Sequence, residues 1–231
     1  MKLHRFIGEY DLSKNEVEIS TSETIRQIRA VLRLKTGDKI LLSDGKGNDA
    51  RATIDTISQR VITVKIEEKT TAPEPKRKVH LYLAILKKEN FELAVQKAVE
   101  AGVSIITPVM TERTIKSGIN VPRLEKIIRE ASEQCGRGTV PLLLPVSNYL
   151  EAMSHSDRAE EKIIFHLIDS PYTPDKNAKT ASIFIGPEGG FTEKEIDLAR
   201  ERGYAPASLG PFTFRGETAA IVASYRAVEG I

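Results

Sequence analysis

From Val79 onward the chain alternates short apolar runs with helix-period segments, and this rhythm restricts its fold more than any other feature. Val79–Leu86, Ser104–Val109, Val140–Leu144, Lys162–Leu167, Ala181–Ile185 and Ala207–Leu209 read as strands. Between them, Phe91, Ala94, Val95 and Ala98 recur at i, i+3, i+4 and i+7, and Leu124, Ile127, Ile128 and Ala131 mark a second helix. Thr192 with Glu195 forms a capping box, and Gly203 suits the left-handed residue past that helix's end. Glu217–Glu229 closes the chain as a helix. Strands alternating with helices demand a parallel sheet covered by helices, with ligands bound beyond the strands' carboxyl ends.

The front of the chain follows a different rule. Val17–Ile19, Lys39–Leu42, Ala52–Ile57 and Val61–Ile66 alternate or are rich in β-branched residues, and Thr36-Gly37-Asp38 and Asp44-Gly45-Lys46-Gly47 punctuate them as turns. Ser20 with Glu23 suggests a capped helix carrying Ile25, Ile28 and Leu32, with Arg26, Arg29 and Arg33 on an adjacent face. A small β-barrel with one helix is expected. Thr70 to Lys78 holds two prolines and three consecutive cations, so the boundary belongs there. The expected fold class is α/β, with a barrel over residues 1–70, a linker over 71–78 and a parallel-sheet domain over 79–231.

Composition excludes several classes. With 40% hydrophobic and 29% charged residues in 231, a wholly disordered chain is ruled out. The longest apolar run, Val140–Val146, is broken by Pro141 and Pro145 and falls far short of the roughly 20 residues that span a bilayer. Glu9, Asp11, Glu16 and Glu18 leave no apolar stretch for a signal peptide. One cysteine, Cys135, cannot form an intramolecular disulfide, and His4, His80, His155 and His166 lack metal-ligand spacing. A cytoplasmic location without metal is expected. Residues 1–80 carry 16 basic and 12 acidic side chains, residues 81–231 carry 18 and 20. Any grip on nucleic acid is therefore expected at the front, through Arg5, Arg26, Arg29, Arg33 and Lys35, although a solvated helix face explains the same arginines.

Three clusters carry possible chemistry. Ile185-Gly186-Pro187-Glu188-Gly189-Gly190 follows a buried strand and precedes a capped helix, so a ligand can approach its backbone closely. Glu188 would repel phosphate and suits a neutral or cationic ligand such as a sulfonium; a sharp turn needing glycine explains the same residues. Leu209-Gly210-Pro211 through Arg215-Gly216-Glu217-Thr218-Ala219 is a second glycine-bearing loop between strand and helix, and Arg215 with Glu217 could equally be a surface ion pair. In the third, Glu130 to Arg137, Gln134 falls on an apolar helix face and Arg137 just past the helix end, where it could meet a polarised carbonyl or simply cap the helix.

These residues together resemble a known family. IGPEGGF (185–191), LGP (209–211) and RGETA (215–219) are similar to the C-terminal signature of SPOUT RNA methyltransferases, and more narrowly to the bacterial 16S rRNA uracil-1498 N3-methyltransferase family. HRF (4–6), VLRLKTGD (31–38) and DGKGN (44–48) resemble its PUA-like RNA-binding barrel; TERT (111–114) and EASEQCGR (130–137) resemble its middle motifs. Phe212-Thr213-Phe214-Arg215 departs from the family's usual Arg-Ile-Leu-Arg run, with an aromatic ring where a cation is common.

The resemblance implies a trefoil knot within about residues 160–231, a homodimer completing the active site, and S-adenosylmethionine as methyl donor. It places the adenosine against loops after His166 and Leu167, at Ile185 to Gly190, and at Leu209, Gly210, Pro211, Thr213 and Phe214, with Thr218 and Ala219 following. Arg137 and Arg215 are the implied stabilisers of charge on uracil, and Glu217 the proton acceptor or an orienter of Arg215. The implied partner is 16S rRNA of the small ribosomal subunit. A SPOUT enzyme acting on another RNA position, or a silent RNA-binding assembly factor, are the alternatives.

Overall fold

A computed structural model describes residues 3–115, 118–155, 158–167 and 170–231. They form two compact units, one joining the chain up to Glu74 with Ser132–Val140, the other joining Pro75–Ala131 with Pro141–Ile231.

In the first unit, β1 (His4–Ile7), β2 (Glu16–Ile19), β3 (Lys39–Ser43), β4 (Asn48–Ile57) and β5 (Ile62–Thr71) form one mixed sheet in the order β1-β3-β4-β5-β2. Only the β1–β3 pair is parallel. Alternation turns Ile40, Leu42, Ala52, Ile54, Ile62 and Val64 into a shared core with Phe6, Ile19 and Ile28. α1 (Ser22–Arg26) runs into a π-helical turn over Gln27–Val31. The residue preceding α1 is Thr21, which makes no side-chain cap, so the expected Ser20–Glu23 capping box does not form. Arg33 lies beyond the helical segment at φ 54°, the left-handed stop of the turn, rather than on a continuous stripe with Arg26 and Arg29.

The segment Ser132–Val140, expected in the second domain, packs within this first unit. The Gly47 amide and the Ser43 hydroxyl donate to the Gly138 carbonyl at 3.1 and 3.0 Å, and the Ile7 amide donates to Glu133 at 2.8 Å. A Cβ on Gly138 would stand 2.2 Å from the Ala72 side chain, so glycine is the residue this approach permits.

The second unit contains β6 (Lys78–Ala84), α2 (Lys88–Glu100), β7 (Ile105–Met110), most of α3 (Val121–Cys135), β8 (Leu142–Leu143), β9 (Ser147–Asn148), α4 (Tyr149–His155), β10 (Glu161–Phe165), β11 (Thr180–Ile185), α5 (Glu193–Glu201), β12 (Ala205–Ala207) and α6 (Gly216–Glu229). Its sheet runs β12-β10-β11-β6-β7-β8, with β9 also on β7, and every pair is parallel. Tyr82 and Phe184 sit in register on β6 and β11 and stack with ring centroids 4.3 Å apart. β8 keeps two residues of its apolar run, because Pro141 and Pro145 cannot donate to a ladder. The capping box at the start of α5 forms as expected, and Gly203 takes φ 78° past its end.

One expectation about the second unit changes. Arg77, read as a linker cation, is buried; its guanidinium pairs with Glu161 and donates to the Ala227 carbonyl at 2.9 Å. Glu161 also accepts from the Asp175 amide at 2.9 Å and the Tyr172 hydroxyl at 3.2 Å, so residues 75–78 are built into this unit. α6 packs against α2 as well as on β6 and β11, and its Ala220, Ala223 and Val228 are buried, as are Phe91, Ala94, Val95, Ala98 and Val99 of α2.

Candidate functional site

The sheet register brings the expected loops together. Phe165 at the end of β10 pairs with Ile185 at the end of β11 on one side and with Ala207 at the end of β12 on the other. The three loops that follow therefore leave the same edge from three adjacent strands. The His166 amide donates to the Ala207 carbonyl at 2.9 Å, and Tyr172 and Ser208 are linked through a 2.8 Å backbone bond. Ser208 in turn donates to the Ser170 carbonyl at 2.8 Å. His166 is half-buried and Leu167 exposed; the first loop continues through 168 and 169, which lie outside the described residues.

The second loop is a tight turn. Ile185 and Pro187 are buried, and the Gly190 amide donates to the Pro187 carbonyl at 2.8 Å. Gly190 takes φ 69°, which a side-chain-bearing residue adopts only under strain. A Cβ on Gly186 would stand 3.1 Å from the Phe191 ring, so the turn is packed from beneath. The Glu188 carboxylate accepts from the Lys87 amide at 3.1 Å, and Arg113 donates to the Gly189 carbonyl at 2.7 Å. Lys87 and Arg113 are site residues that the sequence reading passed over. TERT was a visible signal for Arg113, and the β6 to α2 junction gives none for Lys87.

The third loop, 208–215, is exposed at Pro211, Phe212, Thr213, Phe214 and Arg215, with Leu209 and Gly210 half-buried. It ends where α6 begins, and the two glycine loops meet there: a Cβ on Gly216 would lie 2.8 Å from Leu86 and 3.7 Å from the Gly186 carbonyl oxygen. Arg215 is the residue preceding α6 and offers no side-chain acceptor, so the amides of the helix's first turn, through Thr218, have no side-chain cap. Ala219 closes that turn on the Arg215 carbonyl at 2.8 Å.

Glu217 is the unusual group of this edge. It is 8% exposed, and its Oε2 has no hydrogen-bond partner among the described residues. A buried carboxylate oxygen left unmatched costs about 1–3 kcal/mol or more, which a ligand-binding role would recover. Arg215 is exposed and does not pair with it, which removes both the surface ion pair and the idea that Glu217 orients Arg215.

The remaining candidates sit in the first unit. Arg137 is half-buried, and burial pulls its guanidinium below its ordinary value. Gln134 is exposed rather than turned into an apolar face; Glu133 beside it makes the structural bond. Arg5 is corrected as an RNA contact, since its guanidinium is buried against Asp49 at 2.5 Å. Arg26, Arg29, Arg33 and Lys35 are exposed. Arg26 and Arg29 line a shallow groove of about 470 Å³ with Ser22, Ile25, Ala30 and Gln59.

Comparison with known proteins identifies the family. Residues 72–227 match a family described as the RNA methyltransferase domain, and residues 23–67 match the RNA methyltransferase PUA domain. The ribosomal RNA small subunit methyltransferase E of Rickettsia conorii is 31% identical, over 96% of this chain and 94% of its own. The protein of the same name from Buchnera aphidicola is 30% identical, covering 96% and 91%. Among solved structures, a ribosomal RNA small subunit methyltransferase E from Neisseria gonorrhoeae, bound to S-adenosylmethionine, superposes with a TM-score of 0.88 at 29% identity, covering 96% and 95% of the two chains. A Legionella pneumophila protein in complex with the same cofactor gives 0.85 at 31% identity, covering 97% and 96%.

Proposed function

The chain belongs to the RNA methyltransferase family that includes the ribosomal RNA small subunit methyltransferase E proteins, and from that premise we propose that it transfers a methyl group from S-adenosylmethionine to N3 of uridine 1498 of 16S rRNA. The observation that carries the reading is the convergence of three loops on one sheet edge beside the unmatched Glu217 carboxylate.

The residues suit a donor held by its adenosine. The turn at Gly186 to Gly190 offers close backbone approach, and Leu209, Gly210, Pro211, Thr213 and Phe214 supply a second wall. When bound, S-adenosylmethionine supplies an electrophilic methyl on a sulfonium. Neither loop carries the lysine or glycine pattern that would favour phosphate, and Glu188 adds negative charge.

The chain's remaining tasks follow from the uracil imide. N3 carries a proton that must leave as its lone pair attacks, and N3 is hidden in any Watson–Crick pair, so the uridine must be unpaired or extruded. Glu217 is the acceptor for that proton, because its free oxygen is buried and ready to accept. Arg215, with a fixed positive charge at the mouth, stabilises charge developing on the uracil carbonyl oxygens. Arg137 is the second proposed stabiliser. A homodimer completing the site belongs to the same proposal and rests on the family resemblance, since α6 already packs against α2, β6 and β11. So does the trefoil knot.

Calorimetry tests the cofactor arm. The purified protein is expected to bind S-adenosylmethionine or its demethylated product at a single site per chain. Glu217→Gln is expected to keep that affinity and the fold while lowering methyl transfer about 10²- to 10⁴-fold, the usual span of a general base. Unchanged transfer by Glu217→Gln would remove Glu217 from the chemistry.

A further inference from the structure

Phe212 is 77% exposed and Phe214 38% exposed, two aromatic rings flanking Thr213 in the loop that enters α6. Single exposed apolar residues are ordinary on protein surfaces, so exposure alone assigns nothing. Their setting is specific. The loop leaves the sheet edge beside the glycine turn, ends on exposed Arg215, and is separated by Gly216 alone from the buried Glu217. The resemblance drawn from the sequence places a cation where Phe212 stands.

Resting on the proposed function, we infer that the Phe212 ring is a stacking platform for an unpaired base of the RNA substrate. The inference turns on an exposed ring and an exposed cation in one loop. A phenyl ring stacks on a nucleobase, and an arginine meets phosphate. Arg215, three positions on in the same loop and exposed, supplies the positive field that draws the strand's phosphates toward this loop. A protein partner would satisfy the ring equally but gives no reason for a neighbouring exposed cation.

The test uses the full-length protein and a short single-stranded RNA carrying the uridine, with binding titrated against salt and light scattering run on every variant. Phe212→Ala is expected to weaken RNA binding about 5- to 150-fold, the range of one lost base stack, while S-adenosylmethionine affinity stays in place. Phe212→Trp should hold RNA within a few-fold of the parent. Phe212→Leu, apolar but without a π-face, should lose binding like the alanine variant. Phe212→Arg should restore affinity at low salt and steepen the log–log salt slope by about 0.7, one added phosphate contact on a single strand. The penalty of Phe212→Ala should vanish on an otherwise identical strand whose stacked base is replaced by an abasic site. Leucine binding as well as phenylalanine, or an equal penalty on every abasic strand, would overturn the platform. Loss of dimer mass in Phe212→Ala with RNA affinity unchanged would assign the ring to a contact between copies instead. Because binding is read apart from turnover, a parent protein that transfers no methyl would defeat the proposed function and leave this comparison intact.

Discussion

Adjacent glycines of the turn proposed to hold the cofactor do different work. Gly190 sits at φ 69°, so any branched residue there strains the backbone by about 1–3 kcal/mol. At Gly189 φ is ordinary, and an added Cβ would only touch the flexible Arg113 side chain at 3.4 Å. Gly189→Val should therefore abolish S-adenosylmethionine binding by calorimetry with little change in the denaturation midpoint. Gly190→Val should lower both. Equal destabilisation by the two would refute the distinction. A half-buried histidine offers a second residue-level test. His80 stacks on Tyr82 with centroids 3.9 Å apart, touches the Thr107 hydroxyl at 2.7 Å, and burial pushes its pKa down from 6.5 to about 4. The folded state keeps this ring neutral while the unfolded chain takes a proton below pH 6.5. The stability it contributes is present above that pH and is lost as pH falls toward 4, by at most about 3 kcal/mol. Urea midpoints of the parent should fall faster over this window than those of His80→Gln, which keeps a polar partner for Thr107. Parallel curves would contradict the assignment.

At the scale of elements, periodicity worked where a single rule governed the residues. β6, α2, β7, α3, β10, β11, α5 and α6 follow from spacing, and the α5 capping box from two residues. β1 and α4 were missed because four residues at one end of the chain and a seven-residue helix give too little periodic signal. The sequence rhythm likewise hid the packing of Ser132–Val140 within the first unit, since the two backbone bonds that tie it in, Gly47 to Gly138 and Val140 to Gly45, leave no side-chain pattern. Arg77 misled for the opposite reason: its basic tripeptide looks solvated, and the buried partner Glu161 lies 84 positions away. For the candidate site, the glycine loops were legible as loops, but Lys87 and Arg113 depend on a tertiary approach. The front helix carries a prediction of its own. Replacing Arg26 and Arg29 with alanine should reduce RNA affinity and flatten its log–log salt slope by about 1.4–1.8, with S-adenosylmethionine affinity unchanged. Unaltered affinity and slope would make the pair a solvated face.

For the molecule as a whole, a mixed-sheet unit is joined to a parallel-sheet unit whose loops carry the proposed chemistry. Family membership fixes the class of reaction, and the loops at the ends of β10, β11 and β12 are the place proposed for it. The atom methylated is the central claim. Purified protein, S-adenosylmethionine labelled in its methyl group, and small ribosomal subunits from a strain lacking this chain can be combined, and the rRNA digested to nucleosides. The account predicts one labelled product, 3-methyluridine from position 1498, formed by the parent and suppressed in Glu217→Gln. Label on another atom or another nucleotide, or none transferred by protein that binds the cofactor, would contradict it.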